Sequence, residues 1–179
     1  PWLMAVAGRR LGPWSAALRG GISIPLGKTE ENPFELGRRG RSHQHIQFGT
    51  GTWDPLAGLG VARRFGEVVT SGSLLARLPV STNRHGYRPG RRVQVTTAVD
   101  RRIRGPWRAQ AGIEYAHETA ETWDGRIEEE GNLGRSDLLL AAGVVRQLGS
   151  RALVFNLRLP LRTRSNGVQV DYPAIVSIG

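Results

Sequence analysis

Trp14 to Leu26 reads WSAALRGGISIPL, thirteen residues in which every second one is apolar or glycine: Trp14, Ala16, Leu18, Gly20, Ile22, Ile24 and Leu26. Between them stand Ser15, Ala17, Arg19, Gly21, Ser23 and Pro25, all small or polar. Successive side chains of a strand point to opposite faces, so one face of this run is greasy and the other is not. Its length decides the reading. Ordinary globular strands have about 5–6 residues, whereas strands that cross a bilayer need about 9–11. At ~3.4 Å per residue this run reaches about 44 Å. Tilted by ~40°, it covers roughly 34 Å, more than the ~25 Å apolar band of an outer-membrane barrel.

The pattern returns along the chain. Val68 to Val80 places Val68, Thr70, Gly72, Leu74, Ala76, Leu78 and Val80 on one face. Val93 to Ile103 sets Val93, Val95, Thr97 and Val99 against Gln94, Thr96, Ala98, Asp100 and Arg102. Trp107 to His117 keeps Trp107, Ala109, Ala111, Ile113 and Tyr115 in phase. Leu153, Phe155, Leu157, Leu159 and Leu161 oppose Val154, Asn156, Arg158, Pro160 and Arg162. Strands are also read at Trp2 to Arg10, His45 to Arg64, Leu138 to Leu148 and Val168 to Gly179, which makes nine with Trp14 to Leu26. Tight turns at Leu11-Gly12-Pro13, Phe65-Gly66-Glu67, Arg104-Gly105-Pro106 and Gly149-Ser150-Arg151 alternate with long polar connections. Outer-membrane barrels sort their connections in this way, with short periplasmic turns and long extracellular loops. Two echoes reinforce a repeated hairpin: Gly12-Pro13-Trp14 returns as Gly105-Pro106-Trp107, and Ile24-Pro25-Leu26 returns as Leu78-Pro79-Val80 and Leu159-Pro160-Leu161.

A sheet facing lipid must close, because each orphan backbone group in hydrocarbon costs several kcal/mol. Bacterial single-chain barrels have even strand numbers. With the turn at Leu11 to Pro13 periplasmic, the first strand descends from outside, and another must precede it. The expected fold is therefore all-β: one antiparallel up-and-down transmembrane β-barrel domain over 1–179, truncated at both ends, with nine strands visible of ten to twelve. The opening Pro1-Trp2-Leu3, without an initiating Met or a leader, fits a fragment.

Composition narrows the alternatives. The chain lacks cysteine, which excludes disulfides and thiolate metal sites. Mean hydropathy is −0.31, and the longest apolar stretch, Leu138 to Val145, is far short of a spanning helix. Neither value bears against a barrel, where only alternate residues meet lipid. Net charge is +10, with Lys28 the single lysine among 25 basic residues. These cations are spread over strands, turns and loops with acids between them, whereas nucleic-acid proteins cluster them, so no nucleic-acid partner is expected.

Opposite the greasy residues fall Arg19, Arg77, Asp100, Arg102, Glu114, Asn156 and Arg158. In a barrel they would line a wet lumen or pair across it, biasing it toward anions or polar ends through Arg19, Arg77, Arg102 and Arg158. On a two-sided soluble sheet they would be solvated. Trp2, Trp14 and Trp107 stand at strand ends, where an interfacial aromatic girdle belongs.

Gly49 to Leu59 reads GTGTWDPLAGL, preceded by GISIPLGKTE, with LRLPL near the end. The chain thereby resembles proteobacterial outer-membrane β-barrel transporters of the meta-pathway phenol-degradation type. The resemblance implies a channel for small, often aromatic or hydrophobic solutes, with outer-membrane lipid and lipopolysaccharide around it and no cofactor. Members end in a strand with a terminal aromatic, which is not seen at Gly179. The resemblance carries over Gly49, Gly51, Trp53, Asp54 and Pro55 as a structural or pore-mouth element. Physically, the glycines permit unusual backbone angles and Asp54 can bond nearby N–H groups, which suits a kink at the start of a strand.

Other clusters point to bland roles. His43 and His45 share a strand face but have no fixed third ligand, so no metal is expected. Ser81, His85, His117 and Glu118 near the long-loop rim have no linking spacing, and no catalysis is expected. Glu128, Glu129 and Glu130 read as a solvated loop tip, while Arg38, Arg39 and Arg41 could meet lipopolysaccharide phosphates. No Gly-Lys-Ser/Thr phosphate loop is present. The expected function is passive passage of small solutes through the outer membrane. The alternative is a soluble lipocalin-like barrel with its apolar face around a ligand.

Overall fold

A computed structural model describes residues 1–43, 49–167 and 170–179. Nine long or terminal strands form one antiparallel sheet: β1 (Trp2–Leu11), β2 (Trp14–Ser23), β3 (Asp54–Phe65), β4 (Val68–Arg77), β6 (Arg92–Arg104), β7 (Trp107–Thr119), β9 (Gly134–Leu148), β10 (Arg151–Ser165) and β11 (Ile175–Ile178). They pair strictly with their neighbours in chain order, as a meander. Two features had no place in the sequence reading: the helix α1 (Pro33–Arg38), and a two-stranded sheet of β5 (Tyr87–Arg88) with β8 (Thr122–Trp123). The expected third strand from His45 and ninth from Val168 begin outside the described residues.

The up-and-down order is the expected one, but the sheet is open. Among the described residues β1 pairs only with β2, and β11 only with β10. Four two-residue turns join the hairpins: Gly12-Pro13, Gly66-Glu67, Gly105-Pro106 and Gly149-Ser150. Each begins with a glycine at positive φ, between 53° and 63°. Gly at the first central position is the signature of the type II′ turn, whose twist matches that of the flanking strands.

Register assigns every strand residue a face. On one side the cross-strand rows read Leu18, Leu59, Leu74, Val95, Tyr115 and Leu138, then Ala16, Val61, Gly72, Thr97, Ile113, Leu140 and Leu159. Large apolar residues of this face are exposed: Leu18 by 64%, Leu59 by 46% and Phe155 by 47%. The opposite face carries every carboxylate of the nine strands, with Gln110, Asn156 and arginines such as Arg19, Arg77 and Arg158, and is the less exposed one; Glu114 and Asp137 are buried there, whereas Arg9, Arg63, Arg101, Arg146, Arg162 and Arg164 lie on the apolar side, each within three residues of a strand end. Three cavities open on this polar face. The usual relation of apolar side chains to burial is therefore inverted.

Two expectations about phase are corrected. β10 bulges between Pro160 and Arg162, where an extra residue, Leu161, intrudes. Beyond it Arg162 lies opposite Leu138, on the apolar side, rather than with Arg158. Trp2 pairs with Ser23 and so shares the polar face with Arg19, away from Trp14. Strand limits also move: β2 stops at Ser23 and β4 at Arg77, short of the Ile-Pro-Leu and Leu-Pro-Val triplets that were expected to close them.

Candidate functional site

The polar face is built as a ladder of paired charges. The Arg158 guanidinium donates toward Glu114 at 3.4 Å, crossing the intervening strand β9. Arg77 on β4 reaches Glu118 on β7 at 3.5 Å across β6, and Arg92 meets the other oxygen of the same carboxylate at 3.1 Å. Asp100 accepts from Arg108, and Gln110 donates to Asn156 over Gly143, where any Cβ would collide with both side chains. At the long-loop end Asp137 is gripped by Arg135 at 2.8 Å and by the Thr163 hydroxyl at 2.9 Å. Each acid on β6, β7 and β9 thus has a cationic partner on the same face.

All seven residues expected in a lumen, Arg19, Arg77, Asp100, Arg102, Glu114, Asn156 and Arg158, lie on this face by register. Their partners were not foreseen, because a pair spanning two strands depends on a register that local alternation does not fix. On the apolar face, Trp14 and Trp107 stand beside tight turns. The Arg63 guanidinium lies 4.9 Å from the Trp14 ring centre and 4.5 Å from that of Phe65, and Arg146 lies 5.3 Å from that of Trp107. Such cation–π pairs put an apolar body and a charged tip at one level.

The long loops interlock over the other end of the sheet. Asn32 caps α1, its side chain accepting from the N–H groups of Phe34 at 3.1 Å and Glu35 at 3.2 Å. Pro33 follows in the first turn, where its missing N–H costs nothing. This brings Phe34 edge-on to Trp123, whose ring also lies 4.9 Å from Tyr87 across the β5–β8 pair. Glu121 accepts from the Tyr87 hydroxyl at 3.2 Å. Burial, and then the Glu121 charge and hydrogen bond, push the Tyr87 phenol well above its ordinary value. Arg38 bonds Glu128 at 3.2 Å and Glu35 at 3.0 Å, while Arg39 holds Glu35 at 2.8 Å. These arginines, Arg38 first, hold the Glu35 carboxyl below its usual range. They are thus already partnered within the cap.

Gly49, Gly51, Trp53, Asp54 and Pro55 sit where this cap meets β3. Gly51 has φ of 67°, and a Cβ there would lie 2.6 Å from Thr29 and 2.9 Å from Asn83. Asn83 ties the loops together: it donates to the Thr50 carbonyl at 3.0 Å and accepts from the N–H groups of His85 at 2.8 Å and Tyr87 at 3.1 Å. Asp54 is fully buried, with one oxygen accepting from the Thr52 hydroxyl at 2.7 Å and the other without a partner among the described residues. Trp53 is half exposed, and Pro55 pairs with Ile22 on the apolar face. The segment forms a buried joint at the mouth of the sheet.

The remaining sequence candidates do not converge. His117 Nδ1 bonds Ser136 at 2.8 Å on the apolar face, Glu118 serves Arg77 and Arg92 on the other, and His85 accepts from Arg84. His43 Nδ1 lies 2.9 Å from the Arg41 carbonyl, while His45 falls outside the described residues. Among the described residues no three His, Asp or Glu side chains are placed to hold a metal. Glu129 and Glu130 border a cavity with Arg38 and Phe34. No family model matches the sequence, and no curated protein matches it significantly.

Proposed function

We propose that the chain is part of an outer-membrane β-barrel that passes or binds small solutes passively through a polar, ion-paired interior. We further propose that it is of the transporter type its GTGTWDPLAGL segment resembles. One observation carries this reading. Exposed apolar side chains recur on one face of all nine strands, with arginines there only near strand ends, while every strand carboxylate turns to the less exposed face. Burying a single Leu, Ile or Phe is worth about 1.5–3 kcal/mol, and soluble monomers rarely expose apolar patches beyond a few hundred Å². Acyl chains remove that cost, and only a closed barrel then satisfies the backbone, so β1 and β11 must be joined directly or through further strands.

A soluble lipocalin-like barrel would need its apolar stripe around the ligand, and here that stripe is the exposed one. The cap of α1, β5 and β8 would lie on the extracellular side and the two-residue turns in the periplasm. Conductance of the full-length protein in planar bilayers, with detergent-dependent extraction and heat-modifiable gel mobility, tests the proposal. Discrete channels are expected. A freely water-soluble protein without conductance would overturn it.

A further inference from the structure

The polar face is chemically divided. On β6 to β10 its acids are matched by arginines, whereas on β1 to β4 the only acid is Asp54, inside the joint beneath the cap. Asp54 is four residues along the strand from Gly58, the partner of Arg19, or about 13 Å away. Four arginines of the polar face, Arg10, Arg19, Arg64 and Arg102, have no acid partner among the described residues. Two of these, Arg10 and Arg19, border one cavity of about 480 Å³. Its floor includes Gly8 and Gly60, and the Arg19 guanidinium lies over Gly60, 4.0 Å from where a Cβ would stand. Ser15, Ser71 and Ser73 line the same space.

We propose that this acid-free trough is a binding subsite for small organic monocarboxylates, with the carboxylate on Arg19, the carbon chain along the glycine floor and Arg10 adding positive charge at the turn end of the same cavity. A guanidinium offers two parallel N–H donors matched to the two carboxylate oxygens. Serine hydroxyls can donate to the lone pairs that remain. The missing Cβ atoms leave room for the solute's apolar part, and the cavity falls within the ~300–1,000 Å³ range of small-molecule sites. Arg108 and Arg158 each pair with an acid of their own, and Arg77 and Arg92 are both engaged by Glu118. As a step in solute passage the subsite rests on the channel reading above; as a binding site it is tested separately.

The test is binding of butyrate, with 1-butanol as the uncharged counterpart, to the full-length protein in detergent micelles, read by saturation-transfer NMR. Butyrate is expected to bind and butanol not. Arg19→Gln should weaken butyrate at least fivefold, Arg19→Lys, which keeps the charge but loses the paired donors, should weaken it by an intermediate factor, and Arg151→Gln, opposite Leu148 on the apolar face, should leave it unchanged. Arg10→Gln, expected to weaken binding by a smaller factor, serves if Arg19→Gln fails to fold. The proposal is overturned if butyrate does not bind, if butanol binds equally, or if Arg151→Gln weakens binding as much as the trough variants. Butyrate binding that follows this pattern in a protein silent in bilayers would uphold the subsite and overturn the channel.

Discussion

Replacing Ile113 by Arg asks the apolar face what it touches. Ile113 stands midway along β7 (Trp107–Thr119), between Thr97 and Leu140 on the same face. Six residues separate it from either end of the strand. At ~3.4 Å per residue and a ~40° tilt, that places it about 16 Å vertically from each end, within the middle of a ~25 Å apolar band. Arginine at the midplane of a barrel costs about 2–4 kcal/mol, and near the interface about 0–1. In water the same change at an exposed strand position stays within about 0.5 kcal/mol. The two environments therefore differ by roughly 10- to 700-fold in the folding equilibrium. Leu148→Arg, at the last position of β9 beside the Gly149-Ser150 turn, supplies the interfacial comparison. Urea titration of protein refolded into phosphatidylcholine vesicles, followed by tryptophan fluorescence, measures both. A cost under about 0.5 kcal/mol for Ile113→Arg, or one no greater than that of Leu148→Arg, would refute a lipid-facing Ile113.

Further outcomes follow from the polar face and the cap. Glu114→Gln should destabilise by about 1–2 kcal/mol, discounted because Arg158 is partly hydrated, and Arg158→Gln should recover much of this in a double-mutant cycle. Gly51→Ala places a Cβ against Thr29 and Asn83 at a left-handed backbone angle, and should open the cap to proteolysis at a cost of about 1–3 kcal/mol. Asn83→Ala removes three hydrogen bonds and should loosen the same loops by a similar amount, seen as faster amide exchange at Tyr87. Because the folded Tyr87 phenol keeps its proton above its ordinary value, its stabilising contribution is complete below pH ~10. It declines as the unfolded phenol ionises, so Trp123 fluorescence should report cap opening above pH ~10, and Tyr87→Phe should abolish that step.

Much of this arrangement is readable from the chain. Alternation in Val68 to Val80 and Trp107 to His117 gives the faces directly, because pleat geometry acts within one strand, and Gly-X pairs mark all four tight turns. What depends on partners is not readable. The bulge at Leu161 reverses the phase of Arg162, and nothing within LRLPLRTR signals where an extra residue is absorbed. Trp2 shares a strand-end position with Trp14 in sequence but takes the other face through its pairing with Ser23. The Arg158–Glu114 and Arg77–Glu118 pairs require the register of two successive hairpins. Helix α1 did leave a local trace, since Asn32-Pro33 with Glu35 is an N-terminal capping pattern, but six residues set in a polar loop carry no periodicity.

The absence of cysteine allows a single thiol to be placed at will. Nitroxide labels at successive positions from Leu153 to Leu159, in protein folded into phospholipid vesicles, would be read for collisions with dissolved oxygen and with a water-soluble nickel chelate. Oxygen contact should peak at 153, 155, 157 and 159 and nickel contact at 154, 156 and 158. Uniform contact with the nickel chelate at every position, or oxygen maxima on the arginine side, would contradict an apolar face turned to lipid.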